Sequence, residues 1–226
     1  MTELVLLVGL LLLSGVPAFR SSRNGLLIVS TIAILVTILL FSDSSFTSIF
    51  VRLVAAFHLG EFVWSMVVHK DNYSFDSFLL NNSIPYTVCM LMSVIETSAT
   101  FRLHIIFQQI GLVISILGLL VRNLALWTAR RSFTHRLADS KRSDHFLVMH
   151  GIYGFIRHPG YAGWLAWAVG GQLLLGNPIC TLLFTAISWN FFADRINQED
   201  DALHVFFGST YNDYKKRTPS GIPGIP

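Results

Sequence analysis

The sequence predicts an all-α, polytopic integral membrane bundle of about seven spans. Three observations lead there. The 226 residues are 53% hydrophobic and only 13% charged, about half the charge of an ordinary soluble domain. The mean hydropathy is +0.58, and a chain this apolar has too little polar surface to face water all round. Uncharged runs of bilayer-crossing length recur along it, with Lys and Arg gathered beside only some of them. A soluble globular enzyme, a disordered chain and a secreted disulfide scaffold are excluded on these grounds.

Residues 4–19 carry no charge and are preceded by Glu3, with no Lys or Arg. Val16-Pro17-Ala18 resembles a small-residue cleavage site, but the missing basic start favours a retained first span over a signal peptide. Residues 24–42 are uncharged and form the second span. Residues 46–68 form the third and contain Arg52, His58 and Glu61. Residues 77–95, with Pro85 near their start, form the fourth. Residues 105–121 form the fifth, extended past Arg122 by residues 124–127. Residues 130–158 are polar, basic and rich in His. The 35 residues 159–193 then carry no charge at all. As one helix they would run about 52 Å, too long for a single crossing. Gly176-Asn177-Pro178 breaks them into a helical hairpin of residues 161–175 and 178–192. The expected division is residues 1–129, the N-terminal spans, and residues 130–226, which carry the chemistry.

The net charge is +3, from 16 basic and 13 acidic residues, and its placement says more than its size. Arg130, Arg131, Arg136, Lys141, Arg142, Arg157, Arg195, Lys215, Lys216 and Arg217 put most of the basic residues in the last hundred positions. That face is placed in the cytosol, opposite an anionic lipid surface. Arg20, Arg23 and Lys70 fall on the same side, and Arg102 is the exception. Asn72 and Asn81, in glycosylation-type triplets, would then be cytosolic and unmodified. Aromatic residues sit in the spans and do not alternate with the basic ones, so no nucleic-acid partner is expected. Cys89 and Cys180 lie in apolar runs without a CxxC. His135, His145, His150 and His158 are not spaced to share one helix face. No metal site is expected.

Two segments could carry chemistry. In residues 145–161, Gly151, Gly154 and Gly160 permit turns and close approach. Pro159 suits the first turn of the next helix, which puts His158 at a helix N-terminus. Backbone amides there would favour an anion, such as the carboxylate of an amino-acid-bearing cofactor. An ordinary interfacial loop is equally compatible with the position. In residues 194–208, Arg195 and Glu199 are four apart and share a helix face. Ile196, Leu203 and Phe207 form an apolar stripe beside them, as in an interfacial amphipathic helix. A solvated face with a weak ion pair is the alternative. Within the spans, His58, Glu61 and Glu96 are either functional or paired between helices.

The run Gly151-x-Tyr153-x-x-x-Arg157-His158-Pro159-x-Tyr161-x-Gly163 is followed by Asn177-Pro178-x-Cys180. After these come Arg195-Ile-x-x-Glu199-Asp200 and Phe206-Phe207-Gly208-x-x-Tyr211-x-x-Tyr214-Lys215. In this order they resemble the isoprenylcysteine carboxyl methyltransferase family. The tail from Lys215 to Pro223, and upstream Phe57-His58-x-x-Glu61, Asp76 to Asn81 and Phe133-x-His135, extend the likeness over about residues 57–226. The resemblance implies methyl transfer from S-adenosylmethionine, leaving S-adenosylhomocysteine, to the C-terminal α-carboxylate of a prenylated cysteine. The protein partners would be CaaX-processed proteins such as small GTPases, in the endoplasmic reticulum membrane, with the active site facing the cytosol. His145, Phe146, Leu147, Val148, Tyr153, His158, Pro159, Gly160 and Tyr161 would hold the cofactor. Arg195 and Glu199 would be catalytic and bind the substrate carboxylate. Three positions depart from the family pattern: Ala138 replaces a Gln, Gly160 a usual Ser, and Asp200 a second Glu. The family's eukaryotic fold has eight spans, one more than expected here.

The chemistry is compatible with these residues. An α-carboxyl group, with a pKa of about 3.5, is already ionised at neutral pH. Its methylation needs no general base, only positioning and exclusion of water. Arg195 can orient the carboxylate through paired hydrogen bonds. Glu199, one turn on, can hold Arg195 and weaken its pull as the charge falls. Three other readings remain. A phospholipid methyltransferase would want a cage for a cation in place of Arg195. A sterol reductase would need residues for NADPH and a proton donor. A seven-span transporter or scaffold would use His58, Glu61 and Glu96 along a path.

Overall fold

The computed structural model describes residue 9 and residues 25–41, 45–70, 73–80, 83–98, 102–135 and 145–226. Among the described residues the regular structure is helical, with no strand. The helices are α1 Gly25–Phe41, α2 Phe46–Val68, α3 Ile84–Thr97, α4 Ile105–Ala129, α5 Pro159–Leu175, α6 Pro178–Phe207 and α7 Ser209–Arg217. Short 3-10 turns occupy Phe75–Phe78, Arg130–Ser132 and Gly151–Gly154. The expected first span, residues 4–19, lies outside the described residues apart from residue 9, as do Arg20, Arg23, Asn72, Asn81, Arg136, Ala138, Lys141 and Arg142.

By length and composition two of the described helices can cross a bilayer, α2 and α4 with its 3-10 extension to Ser132. On α4, Ile106, Ile110, Val113, Leu117, Leu120, Leu124 and Trp127 alternate at spacings of four and three and are each about half exposed. Such a stripe along a whole helix belongs against hydrocarbon. The expected fourth span begins differently. Residues 75–78 form a 3-10 turn, and α3 starts only at Ile84. There the Ser83 hydroxyl accepts from the Tyr86 N–H, and a proline sits in the first turn. A Ser cap with proline just inside is a strong helix start, and it overrides the apolar run before it. The remaining 14 residues span about 21 Å, short of a full hydrocarbon thickness.

The chain divides into two compact units. One comprises residues 1–115 and 169–184, the other residues 116–168 and 185–226. The division does not follow the expected break after residue 129. It falls within α4, α5 and α6, each of which contributes residues to both units.

In the first unit Phe62 of α2 stacks on Phe78, with ring centroids 4.0 Å apart, and both are buried. His58 is fully buried. Its Nδ1 is 2.8 Å from the Phe78 carbonyl and its Nε2 is 3.0 Å from the Tyr86 hydroxyl. A carbonyl can only accept, so Nδ1 carries the proton and Nε2 accepts from Tyr86. Glu96 caps another helix: its carboxylate accepts from the Ile179 and Cys180 N–H groups, each at 2.7 Å, in the first turn of α6. An anion there meets both the free amides and the positive end of the helix dipole. Asn177, buried between α5 and α6, donates to the Ser93 carbonyl at 3.0 Å. These contacts give His58 and Glu96 structural roles and leave the transport reading without support from them.

In the second unit α4 and α5 approach closely. A Cβ at Gly118 would lie 2.7 Å from the Gly163 carbonyl oxygen, and one at Gly163 would lie 2.7 Å from the Gly118 oxygen. Only glycine admits this backbone approach. It sets Arg122 of α4 beneath the start of α5, where its Nη1 donates to the Gly160 carbonyl at 3.1 Å.

Candidate active site

The site lies within the second unit. A cavity of about 850 Å³, counting the space open to solvent at its mouth, is walled by Phe133, His145, Phe146, Leu147, Val148, Tyr153, Arg157, His158, Gly160, Tyr161, Glu199, Leu203, Phe206, Tyr211 and Tyr214, among others. Of the nine residues expected at the cofactor, eight line it, and Pro159 is buried behind the wall. Glu199 lines it too. Arg195 does not, but reaches the wall through Tyr161.

Each element contributes for a local reason. The segment before α5 turns through the 3-10 residues Gly151–Gly154, with Gly151 at a φ of 59°. His158 follows and stacks on Tyr161, with centroids 5.7 Å apart, and Tyr161 stacks on Phe192 of α6 at 5.1 Å. His145 is gripped edge-on by Phe206 and Phe207 at 5.9 and 5.6 Å. Phe133 lies under the Arg122 guanidinium, 5.1 Å from the ring centroid. A Cβ at Gly160 would approach Phe133 to 3.0 Å and Arg122 to 3.2 Å. The absence of a side chain is what lets the Phe133 ring and the Arg122 guanidinium come this close.

Two expectations change. The backbone amides of Arg157 and His158 do not await an anion. They donate to the carbonyls of Pro219 at 2.8 Å and Ser220 at 3.0 Å, and in the first turn of α5 the Tyr161 and Ala162 amides donate to the His158 carbonyl, each at 3.1 Å. Nor do Arg195 and Glu199 pair directly among the described residues. The Tyr161 hydroxyl stands between them: it donates to Glu199 Oε2 at 2.5 Å and accepts from Arg195 Nε at 3.2 Å. A second contact, from Arg195 Nη2 to the His135 carbonyl at 2.7 Å, fixes the guanidinium. Of its five donors, two are engaged in these contacts.

Asp200 is the residue whose role the sequence did not reveal. It is 3% exposed and accepts from four groups: His158 Nε2 at 2.8 Å, Arg157 Nη2 at 3.2 Å, Lys215 Nζ at 2.7 Å and the Tyr211 hydroxyl. Burial alone pushes its carboxyl up. The hydrogen bonds from His158, Lys215 and Tyr211 outweigh burial and hold it well below the usual carboxylate range. Burial pushes the Tyr211 hydroxyl up, and its bond to Asp200 pushes it further. Tyr214, which donates to the Tyr153 carbonyl at 2.6 Å, is raised by burial to about 12. All these tyrosines therefore serve at neutral pH as hydrogen-bond donors, not as bases.

Residues 110–205 match the family model described as the isoprenylcysteine carboxyl methyltransferase family. The chain is 42% identical over 181 residues to a protein-S-isoprenylcysteine O-methyltransferase of Dictyostelium discoideum, covering 76% of this chain and 75% of that protein. The chain belongs to the isoprenylcysteine carboxyl methyltransferase family. A Rattus norvegicus protein of the same name is 40% identical over 200 residues, covering 83% of this chain and 69% of the other. The solved structure of a eukaryotic intramembrane Ras methyltransferase, an isoprenylcysteine carboxyl methyltransferase, superposes with a TM-score of 0.74 at 28% identity. It covers 99% of this chain and 94% of that one. The all-helical fold and membrane location are thus those of an intramembrane isoprenylcysteine carboxyl methyltransferase. Of the three positions expected to depart from the family pattern, Gly160 lines this cavity, Asp200 bonds to its wall residues Arg157 and His158, and Ala138 lies outside the described residues.

Proposed function

We infer that the chain is an S-adenosylmethionine-dependent protein-S-isoprenylcysteine O-methyltransferase. It esterifies the C-terminal α-carboxylate of prenylated cysteine in CaaX-processed proteins. The observation that carries the reading is the Arg195–Tyr161–Glu199 chain at the wall of an aromatic cavity, in a chain of this family. The cavity suits the cofactor. It offers aromatic faces at Phe133, Phe146, Tyr153 and Phe206 and a polar end at His158 and Glu199. Arg157, also on the wall, has a buried Nε without a hydrogen-bond partner among the described residues, which a polar ligand can satisfy. Bound there, S-adenosylmethionine supplies an electrophilic sulfonium methyl.

The protein's own part is positional. The substrate carboxylate arrives ionised, so no residue has to remove a proton. Arg195 keeps donors for it while Tyr161 and His135 hold the guanidinium still. The cost of ordering that side chain is met before substrate binds. Glu199, acting through the Tyr161 hydroxyl, moderates the pull of Arg195. The carboxylate loses charge on esterification, so an undamped Arg would favour the ground state over the transition state. Apolar walls exclude water and make the charge-cancelling step more favourable. The prenyl chain is supplied from the bilayer, the natural solvent of such a tail. We place the enzyme in the endoplasmic reticulum membrane with this site toward the cytosol. Small GTPases are the expected protein substrates.

The test is purified protein in detergent with tritiated S-adenosylmethionine and a farnesylcysteine analogue. Base-labile methyl ester formation is expected, and it should be lost in Arg195→Ala. Cofactor binding without ester formation would point instead to another acceptor, such as a phospholipid amine.

A further inference from the structure

We propose that Asp200 is a positioning residue for the cofactor loop, acting through Arg157 and His158 and anchored in turn by α7. The proposal rests on the reading of the cavity as a cofactor site.

Asp200 has two oxygens and room for about four hydrogen bonds. All four are used. Oδ1 accepts from His158 Nε2 and the Tyr211 hydroxyl, and Oδ2 accepts from Arg157 Nη2 and Lys215 Nζ. Two donors come from the loop before α5 and two from α7, so one carboxylate ties together segments more than 40 residues apart, as the 43-residue separation of Arg157 and Asp200 shows. The chain beyond α7 completes the hold. Arg157 Nη1 donates to the Thr218 carbonyl at 2.5 Å, and the Arg157 and His158 amides donate to Pro219 and Ser220. The loop is therefore held at both side chain and backbone.

This arrangement decides what His158 presents to the cavity. An ionised carboxylate only accepts, so Nε2 donates to Asp200. Nδ1 is turned to the other side, 3.9 Å from Glu199 Oε2. Asp200 thus sets the orientation of an imidazole on the cavity wall without touching the cavity. A carboxamide at position 200 keeps the volume but loses the charge and half of the acceptors. It leaves Arg157 or His158 with a buried donor unmet. The loop loosens, and the loss falls on the cofactor rather than on the prenylcysteine.

The experiment uses the full chain in detergent. For Asp200→Asn, calorimetric binding of S-adenosylhomocysteine should weaken about tenfold or more, the scale of one lost charged hydrogen bond. KM for the farnesylcysteine analogue should stay within about twofold. Without any ligand, amide hydrogen exchange in the peptide holding Arg157 and His158 should speed up. Asp200→Glu, which restores the charge, should fall between Asp200→Asn and the parent. Tyr211→Phe removes one donor from the α7 side and should shift affinity and exchange in the same direction by less. It decides the matter if Asp200→Asn does not fold. Unchanged S-adenosylhomocysteine affinity with unchanged exchange would overturn the proposal. So would an equal rise in both KM values. If the parent chain binds no S-adenosylhomocysteine, the cofactor reading falls, while the exchange data still judge the hold of Asp200 on the loop.

Discussion

Replacing Tyr161 by Phe removes one oxygen and keeps the ring. The stacks on His158 and Phe192, at 5.7 and 5.1 Å, should survive. Two hydrogen bonds do not: the 2.5 Å bond to Glu199 and the 3.2 Å bond from Arg195. The first has an ionised acceptor and is short, and the second is longer. Bonds to charged groups contribute about 1.5–3 kcal/mol net. If the shorter one is lost from the aligned state, kcat falls about 10- to 100-fold. Arg195 keeps its bond to the His135 carbonyl and can still bind the carboxylate, so KM for the prenylcysteine should change little. Initial rates with tritiated S-adenosylmethionine, varied against each substrate, separate these quantities. A thermal melt checks the fold. Activity within twofold of the parent would refute a functional link through Tyr161. A loss confined to cofactor KM would reduce Tyr161 to a wall residue.

Three further outcomes follow from the geometry. Glu96→Gln removes the charge that faces both first-turn amides of α6 and turns a donating NH2 toward one of them. It should cost about 1 kcal/mol, or about 2–4 °C in Tm, and an unaltered melt would refute the capping role. Gly163→Ala places a Cβ 2.7 Å from the Gly118 carbonyl. Overpacking against backbone should cost about 1–3 kcal/mol, read as a lower Tm, and a neutral result would mean that α4 and α5 are not so close. The third concerns acid. The Asp200 carboxyl titrates lower in the folded chain than in the unfolded one. Its contribution is therefore fully present above about pH 4 and declines as the pH falls below that. Melts taken from about pH 6 to pH 3 should fall less steeply in Asp200→Asn than in the parent, and equal slopes would contradict the assignment.

The chemistry-bearing residues were legible because they are local in sequence. Spacing and residue type marked the run from His145 to Tyr161 and the Arg195–Glu199 pair as candidates, and only the family resemblance gave them roles. The start of α3 was legible too, in Ser83 and Pro85, but the uncharged run before it masked that signal. What failed was inference from proximity on one helix. Arg195 and Glu199 do share a face, yet spacing cannot say whether a side chain from elsewhere comes between them, and Tyr161 does, from 38 residues before Glu199. The amides at the start of α5 were read as open for the same reason. The Arg157 and His158 amides just before α5 are filled by carbonyls that lie beyond α7.

The sequence by itself determined that the protein is a helical membrane protein and which family it belongs to, and it pointed to two segments as candidates for the chemistry. These depend on composition, periodicity and short motifs, all of which are properties of neighbouring residues. Only the tertiary structure decided that Tyr161 joins Arg195 to Glu199, that Glu96 caps α6, and that Asp200 gathers four donors. Each of these unites groups far apart along the chain, as with Arg157 and Thr218, 61 residues apart. Hydrogen bonding acts only over about 3 Å in space. No spacing along the sequence can reveal a contact until the chain has folded to make it.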